Sequence, residues 1–184
     1  MILVEMEKEL ARHDWRAMPC GCGGSAEHLP DHLRQLAGVG PLGRPSYVNL
    51  EGHAWGPLVL CAPAPAVTSV ALAALEGDLV PQAREWFLAV LGSVVAGEAT
   101  DFESARRGLD LLAICEGVIV RGSRPLYREV MANRSRSTAS VAFEILGAVE
   151  PDRARLQALR EAAADWLPEC CRTGRCDDYQ PPRP

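Results

Sequence analysis

Two cysteines one residue apart, Cys20 and Cys22, are followed by His28 and His32. Thiolate sulfur and imidazole nitrogen are the donors that zinc takes in tetrahedral protein sites. Histidines four positions apart face the same way on a helix. The four residues thus offer a complete Cys2His2 donor set. Their spacing speaks against it: C-x-C is tighter than the usual C-x₂₋₄-C, and Pro30 interrupts the helix between the two histidines. The expectation is therefore no bound metal and no cofactor. A zinc protein or an enzyme built on Cys20, Cys22, His28 and His32 stands as the rival reading. The C-terminal tail holds three more thiols, Cys170, Cys171 and Cys176, without an evident fourth ligand. Cys61 and Cys115 sit in apolar surroundings and read as small buried hydrophobes. A nucleophilic Cys–His pair needs a thiol of low pKa beside a base, and Cys61 with His53 is the one pairing the chain offers. No catalytic residue is assigned.

A second group carries charge. Arg121, Arg124, Arg128, Arg134 and Arg136 fall within sixteen residues that contain one acid, Glu129. Arg124 and Arg128 share a helix face. Such a segment suits docking to an acidic protein, a phosphate or a nucleic-acid backbone; it also suits the solvated ends of two helices. The whole chain has a net charge of −5 and a pI near 5.4, which argues against nucleic acid as the partner. The run Gly21–Ser25 is glycine-rich before a helix, but it lacks both a preceding strand and a following Lys-Ser/Thr, so it is not read as a nucleotide loop. Trp86 and Trp166 lie on or beside apolar stripes and read as core.

These residues need a scaffold, and the chain of 184 residues is long enough for one domain with a core. Val67, Val70, Ala71 and Ala74 mark one helix; Phe87, Val90, Leu91 and Val94 mark the next. Gly77 and Pro81 suit the turn between them. Residues 3–12 predict a short acidic helix, with a second from Ser25 to about Ala37. Residues 46–55 are read as a short helix ending near Gly56. Thr100-Asp101-Phe102-Glu103 matches a capping box, opening a helix with Leu111, Ile114, Cys115 and Val118 on its stripe. Further helices carry Leu126, Val130, Phe143, Leu146, Leu159 and Ala163. The predicted core includes Phe87, Leu91, Val94, Leu112, Phe143 and Leu146. The uncharged span Ala54–Leu75 is broken by Pro57, Pro63 and Pro65, so it reads as a buried turn and one helix rather than a membrane crossing. No signal peptide is evident, and the expected compartment is the cytoplasm.

Seven or eight helices with no convincing strand, recurring in pairs, point to an α-solenoid. The chain resembles the HEAT-like repeat proteins of actinobacteria over most of residues 14–166. Trp15 precedes the small loop Gly21–Ala26, with Pro30 following. His53-Ala54-Trp55-Gly56 leads to Ala62-Pro63-Ala64-Pro65-Ala66-Val67. Gly77-Asp78 and Arg84 are similar to the Asp and Arg that align between repeats. Cys22 departs from the family's aromatic, and the turn Asn133–Arg136 lacks the usual Asp. The resemblance implies a short right-handed solenoid over residues 1–167, with a Cys/Pro-rich tail at 168–184 having little to bury. It implies a non-catalytic module that binds another protein, in one version an immunity or antitoxin-like protein masking its partner. HEAT-like DNA glycosylases make a nucleic-acid binder the lesser alternative.

Overall fold

The computed structural model describes residues 3–38 and 44–174. Ten helices and three two-residue strands are formed among them: α1 (Val4–Ala11), α2 (Leu29–Ala37), β1 (Trp55–Gly56), β2 (Val59–Leu60), α3 (Ala64–Leu75), α4 (Pro81–Val95), β3 (Ala99–Thr100), α5 (Phe102–Arg106), α6 (Leu111–Arg121), α7 (Arg124–Ala132), α8 (Arg136–Val149), α9 (Arg153–Ala162) and α10 (Glu169–Thr173). The chain divides into two compact units, Met1–Gly122 and Ser123–Pro184. None of the described helices is long and apolar enough to cross a membrane.

In the first unit α3 is the hub, packed against α1, α4 and α6. Its residues Val67, Val70, Ala71 and Ala74 are fully buried, as the spacing requires. Pro81 opens α4, where a missing N–H costs nothing. Helix α4 buries Phe87, Leu88, Leu91 and Val94. The buried Arg84 donates to the carbonyls of Leu75 at 3.2 Å and Gly77 at 2.9 Å. It thereby satisfies acceptors that the end of α3 leaves without intrahelical partners.

The mostly helical reading holds, but the chain is not all helix. Residues 46–50 have no regular secondary structure and lead into a hairpin in which Trp55 faces Leu60 and Gly56 faces Val59. Strand β3 then pairs parallel to β2. The expected helix over 46–55 is therefore a correction. The stretch has apolar residues but no helical stripe, and its end is drawn into the hairpin that pairs Trp55–Gly56 with Val59–Leu60. Leu58 turns the hairpin at φ +60°. Its carbonyl accepts from Glu98 and Ala99, which fastens the strand that follows α4.

A second correction concerns residues 100–122. They form two helices, not one. Asp101, rather than Thr100, is the N-cap of α5 and accepts from the Ser104 amide. Gly108 breaks the run at φ +73°, and Asp110 caps α6 by accepting from the Ala113 amide. The Thr100 hydroxyl instead accepts from the Leu111 amide at 2.9 Å. This phase buries Leu111 and Cys115, while Leu112 is half-buried and Ile114 is exposed.

In the second unit α8 packs against α7 and α10. Asn133 takes the left-handed conformation that ends α7, and Ser135 caps α8. Phe143 and Leu146 are buried. Trp166 is half-buried, and its indole donates to the Val130 carbonyl at 2.8 Å. The first residues of the Cys/Pro-rich tail form α10, where Cys171 is buried. Residues 175–184, with Cys176, lie outside the described residues.

Candidate metal centre

The loop that carries Cys20 and Cys22 is closed by its own backbone. The Cys20 amide donates to Gly24 at 2.7 Å, the Gly23 amide returns to Cys20 at 2.9 Å, and Pro19 bridges to Ser25. Gly23 sits at φ +89°, a conformation that glycine adopts without strain. His28 follows directly before α2, which starts at Leu29 rather than near Ser25, and makes no side-chain cap hydrogen bond. The second wall comes from elsewhere in the chain. Gly52, at φ +82°, turns the segment before β1, and its amide donates to the Trp55 carbonyl. That turn presents His53. The Gly21 amide donates to the His53 carbonyl at 2.9 Å, so the two loops are joined beside the donors.

The result is a cluster of Cys20, Cys22, His28 and His53 whose ligand atoms all lie within 4.8 Å of one another. Cys20 Sγ is 3.9 Å from His28 Nε2 and 3.4 Å from His53 Nδ1. The two imidazole nitrogens are 3.0 Å apart. With zinc bonds of about 2.3 Å to sulfur and about 2.0 Å to nitrogen, tetrahedral geometry places S···N pairs about 3.6 Å apart and N···N pairs about 3.3 Å apart. Each observed distance lies near those edges. A hydrogen bond between the imidazoles would explain their contact alone; it does not explain two sulfurs converging on the same place.

The electrostatics of the cluster suit a cation. Burial pushes the Cys20 thiol up to about 11, with the neighbouring Cys22 and Cys61 adding to the effect. Cys22 is exposed, and its thiol is lowered chiefly by the Gly24 amide and then by the neighbouring Cys20. Burial and the neighbouring His28 lower His53, which favours the neutral imidazole a metal requires. A divalent cation here would hold both sulfurs as thiolates and give a site of zero net charge.

The sequence set differs by one residue. His32 is not among the converging donors. Its ring stacks edge-on against His28 at 5.1 Å and His53 at 5.8 Å, and its Nδ1 is buried with no hydrogen-bond partner. Local spacing selected His32 because i,i+4 neighbours share a helix face. It could not see His53, which arrives through the Gly52 turn. The chain did hold one hint: a histidine directly after a glycine, outside any helical stripe.

The surroundings of Cys61 work against the low-pKa thiol that a nucleophile paired with His53 needs. Burial and the charge of Asp101 raise its thiol, and its sulfur packs against the Gly21 backbone. A β-carbon at Gly21 would lie 2.8 Å from the Gly52 carbonyl, 2.9 Å from Cys61 Sγ and 3.0 Å from the His53 carbonyl. Two of these obstacles are backbone. Gly21→Ala is therefore expected to push the loops apart and cost about 1–3 kcal/mol, the usual range for overpacking. Gly24→Ala, with open space at that position, is the control. Chemical denaturation of both variants is the measurement, and equal midpoints would show that the loops are not in contact.

A Ser–His–Glu group also forms in the first unit. His13 Nε2 lies 3.0 Å from Ser69 Oγ and 3.3 Å from Glu9 Oε1. A catalytic relay needs the hydroxyl and the carboxylate on opposite ring nitrogens. Here one nitrogen meets both, so the group ties α1 to α3 rather than activating a serine.

The arginines fall on both sides of the unit boundary. Arg121 ends α6 in the first unit; Arg124, Arg128, Arg134 and Arg136 belong to the second and are exposed. Arg124 and Arg128 lie on α7. Arg134 pairs with the buried Glu129 at 3.0 Å. The tail cysteines Cys170 and Cys171 contact one another at 4.0 Å, and Cys171 lies 3.6 Å from the Ser140 hydroxyl. No protein-family model matches this chain, and comparison with curated proteins and with solved structures returns no match.

Proposed function

We propose that this chain is a zinc-binding helical protein, with the metal held by Cys20, Cys22, His28 and His53. The convergence of these four donors within 4.8 Å of one another is the observation that carries the reading. Zinc is favoured over harder cations because half of the donors are sulfur. Four protein ligands fill a tetrahedral ion and leave no open position for substrate, so the site is structural rather than catalytic. Its role is to clamp the Cys20–Cys22 loop and α2 to the His53 turn.

The scaffold so clamped is read as a non-catalytic module of HEAT-like solenoid type that binds another protein. The two units differ in charge: residues 1–122 carry fifteen acidic and nine basic side chains, residues 123–184 nine acidic and ten basic. An acidic surface on the partner would suit the exposed Arg124, Arg128, Arg134 and Arg136.

The test is zinc content after dialysis, with two histidine variants. Wild type and His32→Ala are expected to retain one zinc per chain, while His53→Ala loses affinity by more than about 100-fold, beyond the 10–100-fold usual for residues outside the ligand set. Loss in His32→Ala with retention in His53→Ala would restore the local donor set. Wild-type protein without zinc, after expression in zinc-supplemented medium, would overturn the reading.

A further inference from the structure

The clamp holds one ligand in the open. Cys20 is buried, whereas Cys22, two residues later, is exposed. The two sulfurs lie within 4.8 Å of one another in the cluster. One residue without a side chain separates them. A thiolate stays nucleophilic on zinc, and oxidants act first on the accessible sulfur.

We propose that the centre is a redox-released clamp, in which peroxide joins Cys20 to Cys22 as a disulfide and the zinc leaves. This rests on the zinc reading above and adds its regulation. The exposed Cys22 thiolate attacks one oxygen of hydrogen peroxide; the O–O bond breaks, giving the sulfenic acid and a hydroxide that takes a proton to become water. Cys20 sulfur then attacks Cys22 sulfur. The S–S bond forms, the S–O bond breaks, and the leaving hydroxide takes a second proton. Two electrons pass from the two sulfurs to peroxide, and the products are one disulfide and two waters. The zinc ion is not reduced or oxidised. It loses both anionic ligands and keeps only His28 and His53, two neutral donors that do not retain it against chelators.

Cys61 is the competing thiol. Its sulfur lies against Gly21. It is half-buried, and a bridge that includes it would leave one of the two metal thiolates in place. The release described here needs Cys20 and Cys22 alone.

The experiment uses the full zinc-loaded chain and one molar equivalent of hydrogen peroxide. The expected result is release of one zinc per chain to a chromogenic chelator, loss of two thiols, and a bridged Cys20–Cys22 peptide by mass spectrometry. Dithiothreitol should reverse the bridge and restore zinc binding. Cys61→Ser should respond as wild type does. Zinc retained after the thiols are oxidised, or a bridge that includes Cys61, would overturn the proposal. The metal-free chain is treated in parallel. A chain that loads no zinc yet forms the Cys20–Cys22 bridge refutes the metal reading, whereas a chain that loads zinc and keeps it through oxidation refutes this one.

Discussion

Removing zinc is expected to lower the melting temperature of the first unit by roughly 15 °C. A ligand that binds only the folded state stabilises it by RT ln(1 + [L]/Kd), about 4 kcal/mol when free zinc is a thousandfold above Kd. For a unit of this size each kcal/mol moves the melting point by about 4 °C. The effect should be large because the clamp joins segments distant in sequence: Cys20 and Cys22 on one side, His53 on the other. Without an ion, their direct links are the Gly21 amide on the His53 carbonyl, the Cys20 sulfur at 3.6 Å from that carbonyl and 3.4 Å from the His53 ring nitrogen, and the packing of Cys61 against Gly21. The measurement is thermal unfolding with zinc and with a strong chelator, read by tryptophan fluorescence. Trp15, Trp55 and Trp86 belong to the first unit and Trp166 to the second, so replacing Trp166 by Phe confines the signal to the clamped unit. Identical melting curves would show that the ion, if bound, does not hold the fold.

Phe143→Ala is expected to cost about 3–5 kcal/mol, the range for emptying an aromatic core site. Phe143 is 1% exposed on α8, and the Arg160 guanidinium lies 5.4 Å from its ring centroid. Truncation therefore removes apolar burial and a cation–π contact together. Ile114→Ala is the counterpart. The sequence stripe placed Ile114 inside, but it is exposed on α6, so the change should fall within about 0.5 kcal/mol. Chemical denaturation of the two variants separates the cases. A Phe143→Ala loss below about 1 kcal/mol would mean that α8 does not form the core of its unit.

Helix existence was legible because periodic apolar residues have one cheap way to bury themselves. Val67, Val70, Ala71 and Ala74 on α3, and Phe87, Leu91 and Val94 on α4, are all inside. Pro81 and Asn133 likewise act where their local chemistry places them. Phase and continuity were less legible. Residues 100–122 carry enough apolar groups for one helix, yet the Asp101 and Asp110 caps with Gly108 between them make two; Leu111 and Cys115 of the expected stripe are inside, whereas Ile114 is exposed and Leu112 is half-buried. The hairpin at Trp55–Leu60 was invisible for a different reason. Two-residue strands have no period to read, and β2 needs residues 99–100 as its neighbour.

The candidate site divides in the same way. Residue order alone brought Cys20, Cys22 and His28 to notice, because donors within one loop and the start of one helix are neighbours in any fold. The fourth donor is a matter of tertiary structure. Spacing along α2 favours His32, but the Gly52 turn delivers His53 to the corner opposite Cys20, and the Gly21 amide fixes it there. A helix positions side chains through its own backbone, whereas a turn 33 residues away is positioned only by what it packs against.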